Sequence, residues 1–196
     1  MSGKNKVQFN LKNVHYAKLT AAETAGAWPT YEKPVAVPGA VTLTLDPQGS
    51  VEPFYADGIV YYQAVSNNGY SGDLEVARIP DTMLQEIWKF EINDDGVILE
   101  DAEAEPEAFA LLYQIDGDVN DDYYCLYNCS GTRPGIGGTT NTGTKTPQTR
   151  KSTISAVALT NGKVMARTTG TTKEAVKTSW FSEVYKPATT TSTEEE

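Results

Sequence analysis

With 196 residues, 39% of them hydrophobic, the chain has apolar material for one well-buried domain and little more. No window approaches the ~18 consecutive apolar residues of a membrane-crossing helix. The N-terminus MSGKNKVQFNLKN lacks the apolar core of a secretory signal, so a protein made and kept in a cytoplasm is expected. A net charge of −10 opposes phosphate binding and argues against a nucleic-acid reader.

Val7, Phe9 and Leu11 alternate with polar residues, as do Val41, Leu43 and Leu45 in AVTLTLD, and both runs read as strands. Between them His15 is the single histidine of the chain. A Ser-His-Asp or Cys-His arrangement would have to centre on it, and an ordinary strand histidine is the simpler reading. GIVYYQAV follows Asp57-Gly58, the first of five Asx-Gly pairs; the others are Asn68-Gly69, Asp95-Gly96, Asp116-Gly117 and Asn161-Gly162. Such pairs accept the positive φ of tight hairpin turns, so each predicts a turn between strands. Leu74, Val76 and Ala77 lie in a further strand-like run, closed by Pro80 because the residue before proline prefers extended backbone. Asp81 is the expected N-cap of the one convincing helix, where Met83, Leu84, Ile87 and Trp88 make an apolar stripe. After the short strand VILE, the run AFALLYQI is apolar on both alternating sets except at Gln114. That pattern predicts a central strand covered on both faces, one of them by the 81–89 helix.

Asp116, Asp118, Asn120 and Asp122 match positions 1, 3, 5 and 7 of a calcium-loop template, but Asp121 replaces its glycine and Tyr127 its glutamate. An acidic turn is the expectation and weak calcium capture the alternative. Cys125 and Cys129 lie in the strand-like YYCLYNC, which would hold their Cα atoms about 13 Å apart, beyond disulfide reach. With one histidine no zinc set is complete, so two buried, reduced thiols are expected. Ser130 to Arg150 is almost wholly Gly, Thr, Pro and basic, which predicts a long functional or disordered loop. Its glycines lack the Lys-Ser/Thr ending of a phosphate-binding loop. TISAVAL and KVMART flank Asn161-Gly162, and SWFSEVY reads as the last strand. Short strands at this spacing predict a mainly β sandwich or barrel with one flanking helix, a single domain over 1–187, and a flexible acidic tail at 188–196. Paired carboxylates for glycoside hydrolysis lack a sugar platform other than Tyr113, Tyr123, Tyr124 and Tyr127, which strand propensity explains. No catalytic role, cofactor or metal is expected.

Charge is segregated. Between Phe90 and Thr132 there are twelve carboxylates and no Lys or Arg; between Arg133 and Pro187 nine basic residues face only Glu174 and Glu183. One reading is a solvated acidic face. The other is an acidic surface of one copy meeting a basic surface of the next, which salt would weaken.

An ordered series of segments carries a further expectation: LKNVHYA (11–17), WPTYEKPVAVPGAVTLTL (28–45), FYADGIVYYQ (54–63), GDLEVARIPDTMLQEI (72–87), NDDGVILE (93–100), PEAFALLYQIDG (106–117), YYCLYNC (123–129) and the threonine-rich run into TISAVAL (153–159). Together they resemble the major tail proteins of long-tailed, non-contractile bacteriophages. The resemblance implies a β-sandwich or barrel tail-tube domain with one flanking helix. Its subunits would form hexameric rings that stack into the tube, the conduit for DNA ejection. It implies a virion protein synthesised in the host cytoplasm. Its partners would be further copies of itself and the tape-measure, tail terminator and distal tail proteins; double-stranded DNA would pass without specific binding. Gly131, Arg133, Pro134, Lys145, Arg150 and Lys151 are then candidates for an assembly loop that orders against the neighbouring ring. Asp94, Asp95, Glu100, Asp101, Glu103, Glu105, Asp116 and Asp118 are candidates for an acidic surface or lumen that repels DNA. The competing expectation is a monomeric β-sandwich binding or adhesion module for a carbohydrate or protein ligand, which needs an exposed aromatic platform.

Overall fold

The computed structural model describes residues 5–24 and 27–187, so the acidic tail expected at 188–196 lies outside the described residues. The first alternating run becomes β1 (Gln8–Ala21), a long strand bent by register shifts on either side of Leu11–Lys12, with Asn13 at φ 50°. Such bulges bend a strand and sharpen its twist. Short β2 (Thr30–Tyr31) and β3 (Val35–Ala36) lie along the second half of β1. The AVTLTLD run is β4 (Ala40–Pro47), and the hairpin predicted at Asp57-Gly58 forms between β5 (Val51–Ala56) and β6 (Ile59–Val65), with φ of 54° and 79° at its turn. β7 (Tyr70–Val76) leads into the helix α1 (Asp81–Trp88). The acidic segment opens with a two-residue-stranded hairpin, β8 (Glu91–Ile92) and β9 (Ile98–Leu99), turned at Gly96. Then come β10 (Phe109–Gly117), β11 (Asp122–Gly131), β12 (Arg150–Val157), β13 (Met165–Arg167) and a second helix, α2 (Glu174–Ser179).

Nine strands make one antiparallel sheet in the order β2-β1-β10-β11-β12-β7-β4, with β3 on β1 and β13 on β11. The sheet curls on itself because the 35–47 segment serves both ends of it. Val35 and Ala36 pair with Tyr16 and His15, Val37 N–H donates to the Val14 carbonyl at 2.7 Å, and from Ala40 onward the segment pairs with β7. Beyond that point residues 8–11 and 43–45 share no ladder, so the structure is mainly β but not a closed barrel.

The curl encloses Val14, Tyr16, Val76, Phe109, Leu111, Leu126 and Ile154, and α1 caps them with Met83, Ile87 and Trp88. On the opposite face Ala17, Ala110, Leu112, Cys125 and Tyr127 are covered by Leu159, Trp180 and Val184. β10 is therefore buried on both faces, as its apolar run predicts. An extra residue in β11 between Leu126 and Cys129 places the two thiols on opposite faces, where both are free and buried. Each core is pinned by an indole: Trp88 Nε1 donates to the Gly131 carbonyl at 2.9 Å, and Trp180 Nε1 to the Tyr124 carbonyl at 3.2 Å.

Several local expectations are corrected. SWFSEVY is not a strand; Ser179 ends α2, and the turns that follow lay Trp180, Phe181, Val184 and Tyr185 on the outer face of the sheet. The described residues thus hold two helices rather than one. Asp81 is the first helical residue instead of the cap, its carboxylate turned back to the Arg78 guanidinium. Asn68-Gly69 makes no hairpin turn but bridges to Gln48 across the 40–76 hairpin, and Gly117 still belongs to β10, so that turn falls at 118–121.

Candidate assembly surfaces

The 40–76 hairpin has two halves. Its base, β4 and β7, belongs to the sheet. Its outer half, β5 and β6, pairs with no other strand among the described residues. Eight large apolar residues there are exposed, among them Phe54, Tyr55, Tyr61, Tyr62 (65%) and Val65 (75%). Consecutive strand residues point to opposite faces, so Ile59-Val60 and Tyr61-Tyr62 put large apolar groups on both sides of the arm. Burying each group recovers roughly 1–2 kcal/mol, which an isolated two-stranded ribbon forgoes in water. Its only charges are Glu52 and Asp57.

The loop following β11 lies at the other end of this ladder. β7 pairs Tyr70 with Ala156, beside the arm, and Val76 with Arg150, beside the loop. Of the assembly-loop candidates, Arg133, Pro134 and Lys145 lie in the loop itself. Gly131 ends β11, buried against Trp88 and Ile154, while Arg150 and Lys151 belong to β12. The loop starts by zipping back along β12, Thr132 N–H donating to the Thr153 carbonyl and Gly135 N–H to that of Lys151. Beyond that point Ile136 is 91% exposed, and a Cβ on Gly137 or Gly138 would touch nothing. Several charges of the region are paired within the chain: Arg133 with Glu100, Lys151 with Asp73 at 2.7 Å, and Arg150 with the Gly137 carbonyl. The Lys151 ammonium holds the Asp73 carboxyl below its usual range.

The acidic candidates do not form one surface. Asp94, Asp95, Glu100, Asp101, Glu103 and Glu105 cluster on and after the β8–β9 hairpin, beside Gly131 and α1. Asp116 and Asp118 sit at the far end of β10, about 23–26 Å away along the strand. There the template for a calcium loop is taken up by the N-terminal segment. Asp116 pairs with Lys12, Asp118 accepts from Lys6 N–H, and Asn5 Oδ1 accepts from the amides of Val119 and Asn120. Asp122 accepts from Gln8 Nε2 at 2.9 Å. Among the described residues no group of three or more His, Cys, Asp or Glu side chains is placed to hold a metal ion.

His15 Nδ1 meets the Asn13 carbonyl at 2.8 Å, and its ring stacks on Phe181. Burial pushes the Cys129 thiol up to about 12 and raises Cys125 as well, the reverse of an activated thiolate. No helix among the described residues is long and apolar enough to cross a membrane. The exposed arm is the feature that sequence reading missed, because IVYYQAV has the composition of a core strand. A scan against protein-family models and a search of curated proteins each found no match to the chain.

Proposed function

We propose that this chain is a structural virion protein that polymerises as stacked hexameric rings into the tail tube of a long-tailed, non-contractile phage. The observation that carries the reading is the β5–β6 arm, apolar on both faces and paired with nothing else among the described residues. A ribbon of this kind gains its stability by inserting between other chains, and its free strand edges offer backbone partners for them. The arm and the 132–149 loop project from opposite ends of the β7–β12 ladder, the arrangement a head-to-tail stack requires. The unpaired edges of β4 and of residues 8–11 support lateral joining of sheets around a ring. On this reading the subunit has no catalytic role and belongs to the virion tail after synthesis in the host cytoplasm. Its other partners are the tape-measure, terminator and distal tail proteins. A net charge of −10 favours free passage of double-stranded DNA through the lumen.

A second reading has one observation behind it: Phe54, Tyr55, Tyr61 and Tyr62 are exposed aromatics of the kind an adhesion module displays. A sugar platform uses one face, however, whereas this arm is apolar on both. Negative-stain electron microscopy of the concentrated protein separates the two. Hollow tubes of uniform diameter or sixfold rings are expected; monomers that bind glycans through the arm would overturn the tube.

A further inference from the structure

Part of each charged block of the sequence gathers at one place, carboxylates on a hairpin and cations around a groove. The hairpin is β8–β9 with the residues that follow it. Glu91, Asp94, Asp95, Asp101, Glu103 and Glu105 are exposed there and make no ion pair among the described residues, whereas Glu100 pairs with Arg133 and Glu107 with Lys89. Its flank also carries exposed apolar groups, Ile92, Val97 and Leu99. The groove, of about 520 Å³, lies on the other face of the sheet, between β13, the 168–172 loop and α2. Val176, Trp180 and Tyr185 floor it, and Arg167, Lys173 and Lys186 stand around it. None of these three cations has an ion-pair partner among the described residues. Arg167 lies over the Tyr124 ring and interacts with the Asp122 carboxylate; Glu174 is on α2, and Glu32 and Glu183 line the adjoining cleft that shares Val176, Trp180, Tyr185 and Lys186 with the groove.

We propose that the groove is the receptor for the acidic β8–β9 hairpin of a second copy. The inference rests on the self-assembly reading and names the contact that gives the stack its polarity. The match is twofold, carboxylates against unpaired cations and Ile92, Val97 and Leu99 against an apolar floor. The geometry prevents a chain from satisfying itself. The hairpin sits beside Gly131 at one end of β11, and the groove beside Tyr124 and Cys125 at the other, about 20–23 Å along the strand and on the opposite face. Docking unlike surfaces from opposite ends is heterologous, so it propagates from copy to copy instead of stopping at a dimer. Charge steers the encounter and rejects the inverted orientation, in which hairpin would meet hairpin.

A charge exchange tests this on the full chain. The Asp94→Lys/Asp95→Lys variant reverses the hairpin and Lys173→Glu/Lys186→Glu reverses the groove; all four positions are exposed, and circular dichroism checks that both variants fold. Each alone is expected to lose assembly at least tenfold by light scattering, while their equimolar mixture restores it, reversed hairpin against reversed groove. A mixture that stays unassembled, or either variant assembling like the parent protein, overturns the proposal. Truncation after Pro187 separates the nearest rival occupant. Faster assembly without residues 188–196, combined with a silent mixture, would give the groove to the chain's own acidic tail. Failure of the parent protein to assemble would count against the self-assembly reading itself.

Discussion

Single residues hold this sheet together by what they lack as much as by what they carry. A Cβ on Gly72 would lie 1.8 Å from the Thr44 carbonyl oxygen, so β7 and β4 approach only because that position is glycine. Gly72→Ala is expected to cost about 3 kcal/mol, seen as a lower urea midpoint with unchanged slope; an unaltered midpoint would mean that β4 shifts freely. The buried thiols and phenols set a second expectation. Burial raises Cys125, Cys129, Tyr16, Tyr31, Tyr113 and Tyr127, so each is neutral in the fold and ionises more readily once unfolded. Above about pH 8.5 the folded chain retains protons that the unfolded chain sheds. Stability from these groups is complete below that pH and falls as pH rises, for Cys129 toward about 12. Thermal melts across pH 7–11 check the sign, and a thiol reagent at pH 8 should find neither cysteine until the chain unfolds. The sequence indicated burial and the absence of a disulfide. It did not indicate opposite faces, because one extra residue in β11 reverses the side-chain parity.

Among the elements, α1 was legible because its signal is local: Pro80 before it and a stripe at helical spacing within it. Only its cap was misassigned. SWFSEVY misled because its apolar residues alternate loosely like a strand, whereas after Ser179 it runs as turns whose apolar groups pack against β10 and β11. The arm was the costliest omission. β6 reads like any buried strand, and nothing local records that β5 is its one described strand partner. Replacing 51–65 by an Asp-Gly turn between Ser50 and Ser66, which already bond backbone to backbone, should keep the circular dichroism spectrum and most of the thermal stability. Assembly should be lost; tubes from that variant would relieve the arm of its role. For the loop, the informative deletion is 136–147, which spares Gly131 and the bonds of Thr132 and Gly135 to β12. Shorter or less stable tubes are expected, and unaffected tubes would reduce the loop to a connection.

For the whole molecule, charge and apolar exposure pull assembly in opposite directions as salt rises. Contacts made by the arm strengthen or hold, while hairpin-to-groove contacts weaken over a Debye length that shortens from ~10 Å at 0.1 M to ~3 Å at 1 M. A salt series on assembled material should therefore show loss of end-to-end length before loss of the subunits' fold; indifference to salt would remove electrostatics from the interface. The sequence by itself determined the mainly β class, the helix at 81–88, the doubly buried central strand and the segregation of charge, since each is written in periodicity or composition over a few neighbouring residues. Tertiary structure alone decided that the sheet curls without closing, that the acids part into two groups at opposite ends of β10, and that the long apolar β5–β6 hairpin pairs with no other described strand. Those outcomes depend on which distant strands pair and in what register, and a local pattern of apolar and polar residues is the same whether its neighbour is another strand, a second copy or water.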